Sequence, residues 1–173
     1  LVATNGGHAV MGLFHSTSPI VSNDLIMCLD AVNPRSYNRG GSPWIDITGN
    51  YNATMANMDD TNFSTDGAGS FFFDGTNEAM TIPIYGTWSA ISFDFWAYFD
   101  DATLSLTSRN ESVFGDWTSN NNHFAVRWSV GFHWNVNSGW NAITATGLKY
   151  GWNHYALIWD NNSNSKKVYL NNL

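Results

Sequence analysis

The chain has 173 residues, of which 16% are aromatic and 12% charged, and its formal net charge is −7. This length suits one domain with a substantial core, and the composition excludes a disordered polyelectrolyte. The seven basic residues are scattered and form no stripe that could follow a phosphate backbone, so nucleic acid is excluded as a partner.

Residues 1–23 form the first predicted segment, which is small and polar with brief apolar patches. We expect an irregular N-terminal arm or linker here, because the segment lacks the periodicity of a helix or a strand. No apolar run in the chain approaches the ~20 residues that cross a bilayer, so we expect no membrane insertion.

The second segment, residues 24–50, reads DLIMCLDAVNPRSYNRGGSPWIDITGN. Its apolar run, residues 25–29, predicts a buried first strand in which Cys28 is a small hydrophobe. The remainder predicts an ordered loop. In this loop Asp46 can accept backbone N–H bonds across a turn and Gly49 can supply a positive φ.

Strand patterns dominate after residue 70, and no window of a dozen residues keeps a helical apolar period. The runs are aromatic and β-branched, and Gly, Asn and Asp turns separate them. The predicted strands are 70–75, 79–84, 90–99, 123–130, 154–160 and 166–170. Short strands with such turns predict an all-β, antiparallel β-sandwich.

Two of these runs have distinguishable faces because side chains alternate along a strand. In 90–99 the predicted core face consists of Ile91, Phe93, Phe95, Ala97 and Phe99, and the other of Ser92, Asp94, Trp96 and Tyr98. In 152–159 one face is Trp152, His154, Ala156 and Ile158, and the other is Asn153, Tyr155, Leu157 and Trp159. We interpret His154, on an apolar stripe, as a hydrogen-bonded structural histidine.

Four motifs in this order resemble the LamG-like members of the concanavalin A-like lectin/glucanase superfamily. They are DLIMCLDAVNPRSY, WIDITGNYNATM, SFFFDGTNEAMTI and WNHYALIWDNNSNSKKVYLNN, the first of which begins at Asp24 and the last of which ends at Asn172. The resemblance implies a jelly-roll β-sandwich over 24–173. In that family further strands follow the last hairpin. We therefore expect either that the sequence is truncated after Leu173 or that the arm or a neighbouring subunit covers an exposed edge.

The first two motifs, with FHSTSP at residues 14–19, are most similar to LamG-like domains of phage structural proteins. The resemblance implies a non-enzymatic virion protein, which would be a decoration, fibre or tail-associated module on the virion surface. Its expected partners are other virion proteins, further copies of itself, with a trimer favoured, and host surface glycans. The alternative is a secreted or cell-surface carbohydrate-binding lectin.

The concanavalin A-like superfamily includes glycoside hydrolases, so the carboxylates decide whether catalysis is expected. Glycoside hydrolysis requires two Asp or Glu residues that flank the scissile glycosidic bond, one of them as the acid. The chain has two Glu, Glu78 and Glu111, in separate turn-like settings, and Asp94 stands alone among aromatic residues. We therefore expect no enzyme activity. We expect no cofactor, and the metal ligands are unknown: oxygen donors that suit calcium are abundant but follow no ligand pattern.

Recognition of a ligand is the chemistry that remains, since aromatic faces stack on sugar C–H groups and amides bind hydroxyls. The segment 117–141 interleaves Trp with Asn. Filling of a core or a subunit interface is the competing interpretation of these aromatic residues. The candidate glycan- or partner-binding residues are Trp117, Asn120, Asn121, Asn122, Trp134, Asn135, Trp140 and Asn141.

Overall fold

The computed structural model describes residues 23–74, 76–83, 89–99, 110–116, 122–127, 131–136, 139–143 and 150–171, and over 110–143 it describes the backbone alone. The strands in these ranges are β1 (Thr54–Ala56), β2 (Phe63–Ser64), β3 (Ser70–Phe71), β4 (Ala79–Thr81), β5 (Ala90–Phe99), β6 (Asn110–Asp116), β7 (Asn122–Arg127), β8 (Gly131–Val136), β9 (Gly139–Ile143), β10 (Gly151–Asp160) and β11 (Ser165–Leu170).

All strand pairs in these ranges are antiparallel. They form two-stranded sheets β1-β4 and β2-β3, a three-stranded sheet β11-β10-β5 and a four-stranded sheet β6-β7-β8-β9. Helix within the described ranges is limited to two single turns of 3-10 helix, Asp60–Asn62 and Asp66–Ala68. The prediction of an all-β, antiparallel protein is confirmed at this level.

Residues 23–74 are built around an aromatic cluster. The Phe71 ring has its centroid 4.7 Å from that of Tyr37, 4.8 Å from that of Trp44 and 5.8 Å from that of Phe63, each in an edge-on arrangement. Such pairs add to the hydrophobic burial of each ring. Trp44 and Phe71 are each only 1% exposed. Residues 23–74 contain little regular secondary structure, and this aromatic cluster provides their core.

The prediction of a first strand at residues 25–29 is wrong: these residues have no regular secondary structure and pair with no strand in the described ranges. Their backbone groups are satisfied by the loop that follows. Cys28 N–H donates to Asp46 Oδ1 at 2.8 Å, and the Cys28 carbonyl accepts from Ile47 N–H at 2.9 Å. The Ile26 carbonyl accepts from the side chains of Thr48 and Asn50. The run is buried as predicted at Cys28 and Leu29, and Leu29 belongs to the same hydrophobic core cluster as Trp44 and Phe71.

Asp46 organises that loop, as the sequence predicted. Its carboxylate accepts the backbone N–H groups of Cys28, Thr48, Asn50 and Tyr51 and the Thr48 hydroxyl, at 2.6–3.1 Å. Burial alone raises the pKa of Asp46, but these hydrogen bonds outweigh it and hold the pKa below its ordinary value. Gly49 has a φ of 83°, so the predicted positive φ is confirmed.

Two predicted strands are shorter than expected. Run 70–75 forms a ladder only over Ser70–Phe71, because Asp74 closes a local turn by accepting Thr76 N–H at 2.6 Å. Run 79–84 ends its ladder at Thr81, two residues before Pro83, which has no N–H to donate. The predicted strand 90–99 is found with the predicted ends as β5, whereas runs 123–130, 154–160 and 166–170 are found with shifted ends as β7, β10 and β11, and residues 128–130 lie outside the described ranges.

The three-stranded sheet has one buried face. Phe95, Ala97, Tyr155 and Leu157 are each no more than 4% exposed, and the Phe95 and Tyr155 rings stack with centroids 5.1 Å apart. The predicted core face of β5 is confirmed at Phe95 and Ala97, while Ile91 and Phe93 are half-buried and the side chain of Phe99 lies outside what is described. Ser92 and Asp94 on the other face are exposed. In β10 the alternation places Asn153, Tyr155, Leu157 and Trp159 inside. The stripe that carries His154 is therefore the less buried one.

Candidate functional site

The less buried side of sheet β11-β10-β5 is the outer face. Antiparallel pairing aligns its residues in rows across the sheet: Tyr98 with Trp152, Trp96 with His154, Asp94 with Ala156 and Tyr169, and Ser92 with Ile158 and Lys167. Residues directly opposite each other share a face and approach within about 5 Å. The outer face thus combines aromatic rings with hydrogen-bonding groups, which is the composition of a recognition surface.

Asp94 and His154 form a polar pair at the centre of the outer face. His154 Nε2 lies 3.0 Å from Asp94 Oδ2, and their side chains are 21% and 62% exposed, respectively. The backbone on either side of His154 is fixed as well, since His154 N–H donates to Asn171 Oδ1 at 3.0 Å and Asn171 N–H donates to the His154 carbonyl. The pair therefore presents an oriented carboxylate to solvent.

An aromatic group occupies one end of the outer face. The Tyr98 ring lies edge-on to Trp152 with centroids 5.6 Å apart, and its hydroxyl is 3.3 Å from that of Tyr150, which is 60% exposed. The turn at Gly67 packs against the Trp152 ring, because a Cβ added at Gly67 would come within 2.5 Å of Trp152 Cζ2. This end of the face is consequently half-covered.

The other end of the outer face is open. Ile158 and Tyr169 are 38% and 39% exposed, although they are large apolar or aromatic residues. Ala156 on the central strand lies between Asp94 and Tyr169 and is paired with both of them. The small side chain of Ala156 is thus flanked on the neighbouring strands by the larger side chains of Asp94 and Tyr169.

Trp96 connects the two ends. Its ring centroid is 5.1 Å from that of His154, with the planes tilted by 41°, and it is half-buried. Trp96 therefore lies beside the Asp94–His154 pair, with part of its surface exposed to solvent. An aromatic ring next to an oriented carboxylate is the arrangement in which a sugar can stack and donate hydroxyl hydrogen bonds at once.

The eight candidate residues named from the sequence lie elsewhere. Trp117, Asn120 and Asn121 are outside the described residues. The others are on β7, β8 and β9, where Trp134 pairs with Asn141, and Asn135 pairs with Trp140. Consecutive positions of a strand alternate between the faces of a sheet, so these two pairs belong to opposite faces. Asn122 pairs with Val136 at the end of β7. That the eight residues form one binding surface stays a prediction.

Sequence reasoning did not select the outer face as a site, although part of the signal was visible. The β5 alternation already showed Trp96 and Tyr98 beside polar residues on the face away from the core. The partner of Asp94 was not visible, because His154 is 60 residues further along the chain. Asp94 is thus not alone, and the interpretation of His154 as hydrogen-bonded is confirmed, while its place on a more exposed face corrects the apolar setting expected for it.

Neither a metal-binding cluster nor a membrane-spanning helix is found in the described ranges. Among the described residues there is no group of three or more His, Cys, Asp or Glu side chains that could hold a metal ion. None of the helices there is long and apolar enough to cross a membrane. Glu78 precedes β4, Glu111 lies in β6, and these strands belong to different sheets.

Comparison with protein-family models, with curated proteins and with solved structures gives no match.

Proposed function

We propose that this chain is a non-enzymatic, lectin-like module of a phage virion that binds host surface glycans through the outer face of sheet β11-β10-β5. The single observation that carries the glycan-binding part is the combination, on one sheet face, of the half-buried Trp96 ring, the exposed Tyr169 ring and the Asp94–His154 pair with its exposed carboxylate. Aromatic stacking and an oriented acceptor are what saccharide recognition uses.

The virion part of the proposal rests on the LamG-like motifs of phage structural proteins, including the segment 24–50. The finer fold proposed with it is a jelly-roll β-sandwich. Two features support a sandwich: the strands are antiparallel, and sheet β11-β10-β5 buries one face and exposes the other. In this setting the module would be a decoration, fibre or tail-associated protein on the virion surface, assembled with other virion proteins and with copies of itself.

Glycan binding is tested on an oligosaccharide array that carries neutral and acidic saccharides. We expect the wild-type chain to bind and Trp96→Ala to lose most of the signal, while Trp134→Ala, in the segment first suspected from the sequence, retains it. Loss with Trp134→Ala and retention with Trp96→Ala would move the binding surface to sheet β6-β7-β8-β9. No binding by the wild type would refute glycan recognition.

Virion membership and assembly are tested separately. We expect the genes beside the one that encodes this chain to encode portal, capsid or tail proteins, and light scattering to give a homo-oligomer, with a trimer favoured. A monomer in dilute solution would contradict the assembly. A neighbourhood of polysaccharide-utilisation genes would favour the second candidate function, a secreted or cell-surface lectin, which the same exposed aromatic face supports.

A further inference from the structure

We infer that the open end of the outer face is a subsite for one neutral sugar residue, with Ala156 as its floor, Asp94 as its hydroxyl acceptor and Tyr169 as its stacking wall. This inference rests on the proposed glycan binding and specifies where and what the face binds.

The register gives the dimensions of the subsite. Asp94, Ala156 and Tyr169 form one row across three neighbouring strands, so Asp94 and Tyr169 stand two strand spacings apart, about 10 Å. The methyl group of Ala156 between them rises least from the sheet. A single pyranose ring placed over Ala156 reaches both neighbours, and a larger side chain at this position would remove that space.

Asp94 provides the polar contact. An ionised carboxylate only accepts hydrogen bonds, and it can accept from two adjacent hydroxyls of one sugar. The bond from His154 to Oδ2 holds the carboxylate in place and leaves the Asp94 side chain 62% exposed. Charge-assisted bonds of this kind are stronger than those of a neutral amide, so the acceptor is well matched to vicinal sugar hydroxyls.

The charges favour a neutral sugar over an acidic one. The carboxylate of Asp94 lies at the subsite, and the chain carries a net charge of −7, so a uronate, sialic acid or sulfate group would be repelled. Lys167 lies two residues before Tyr169, on the same face and beside Ile158. Its exposed charge is one row away from Asp94. Binding of acidic saccharides at this position would show that the attraction of Lys167 outweighs the repulsion by Asp94.

The test compares the full chain with four variants on one array of glucose-, mannose- and galactose-terminated oligosaccharides and their sialylated, sulfated and glucuronate-bearing counterparts. Ala156→Leu, which fills the subsite, should abolish binding of neutral saccharides. Asp94→Asn should weaken it at least about ten-fold through loss of the charged acceptor. The controls are Ala90→Leu, at an exposed alanine of the same face paired with Asp160, and Asp24→Asn, at an exposed carboxylate outside the sheet; both should bind like wild type.

Thermal unfolding of each variant keeps the test interpretable. Ala156 and Asp94 are on the less buried face, so all four variants should melt close to the wild type. If Ala156→Leu melts early, Ala156→Val and Ala156→Ser provide a graded replacement in which binding should fall with side-chain volume.

The outcomes separate this inference from the broader proposal. Unchanged binding by well-folded Ala156→Leu and Asp94→Asn, or a preference for acidic saccharides, would overturn the subsite while leaving glycan binding in place. A wild-type chain that binds no saccharide would overturn both.

Discussion

His154 reaches Asp94 diagonally across two strands: its Nε2 lies 3.0 Å from Asp94 Oδ2, although the register pairs His154 with Trp96 and Asp94 with Ala156. Diagonal neighbours on one face of a sheet are within reach of long side chains. The consequence is that the imidazole lies between the Trp96 ring and the carboxylate and orients both groups. If the carboxylate stood directly opposite His154, it would occupy position 96, and Ala156 would have no carboxylate on the neighbouring strand.

The first prediction concerns Asp46, whose replacement by Ala should destabilise the fold by about 3 kcal/mol or more, because the buried N–H of Cys28 and the part-buried N–H groups of Asn50 and Tyr51 lose their acceptor together. Chemical denaturation followed by tryptophan fluorescence measures the loss. The matched control is Asp59→Ala, at an exposed carboxylate that caps one turn of 3-10 helix, for which the loss should be clearly smaller. Equal losses would mean that Asp46 does not organise the loop.

A pH dependence follows from the same residue. The pKa of Asp46 is lowered in the folded chain, so its ionised form contributes stability above the pKa of an unfolded Asp, about 3.9, and that contribution is lost as the pH falls through the folded value. The free energy of unfolding of the wild type should therefore drop steeply below about pH 4. Asp46→Asn should be less stable at neutral pH but decline less on acidification. Parallel curves for the two chains would contradict this.

The face assignment of β10 is tested by two adjacent residues. Leu157 is fully buried, and Leu157→Ala should cost about 2–5 kcal/mol. Ile158 is 38% exposed on the outer face, so Ile158→Ala should cost about 1 kcal/mol or less. Urea denaturation of both variants gives the comparison. A larger cost at Ile158 would reverse the two faces and place the proposed binding surface inside.

Another prediction follows from the contact between the Gly67 turn and the Trp152 ring on the outer face. Gly67 and Gly49 both have a positive φ, 62° and 83°, so alanine at either position costs about 1–2 kcal/mol of backbone energy. Only at Gly67 would the new Cβ also collide with Trp152, whereas nothing lies within 4 Å at Gly49. Gly67→Ala should therefore cost at least about 1 kcal/mol more. Equal melting temperatures of the two variants would show that the turn does not contact Trp152.

Local chemistry was predictable from the sequence and long-range pairing was not. The alternation of β5 and the hydrogen-bonding role of Asp46 are properties of neighbouring residues, and both were found. The apolar run at 25–29 was misassigned as a strand, because such a run shows that a segment is buried but not whether another strand pairs with it. Here the loop at Asp46 takes the backbone bonds that a strand would have used.

The outer face was missed for a related reason. Both faces of β10 carry aromatic residues, so alternation alone could not decide between Trp152 and Tyr155 as the buried one. The choice depends on pairing with β5, which begins 61 residues before Gly151. Asp94, Ala156 and Tyr169 form one row only because of the register of β5, β10 and β11, and the local sequence pattern of a single strand does not reveal that register.

The most direct measurement for glycan recognition by the outer face is the set of tryptophan indole N–H signals in a ¹⁵N NMR spectrum. The nine tryptophans each give one such signal, and Trp96→Phe and Trp44→Phe assign two of them. On titration with the neutral oligosaccharide that binds best on the array, the Trp96 signal should shift in a saturable way. The signal of Trp44, which is 1% exposed in the separate aromatic cluster, should not move. A saturable titration in which Trp96 is unperturbed would contradict binding at this face.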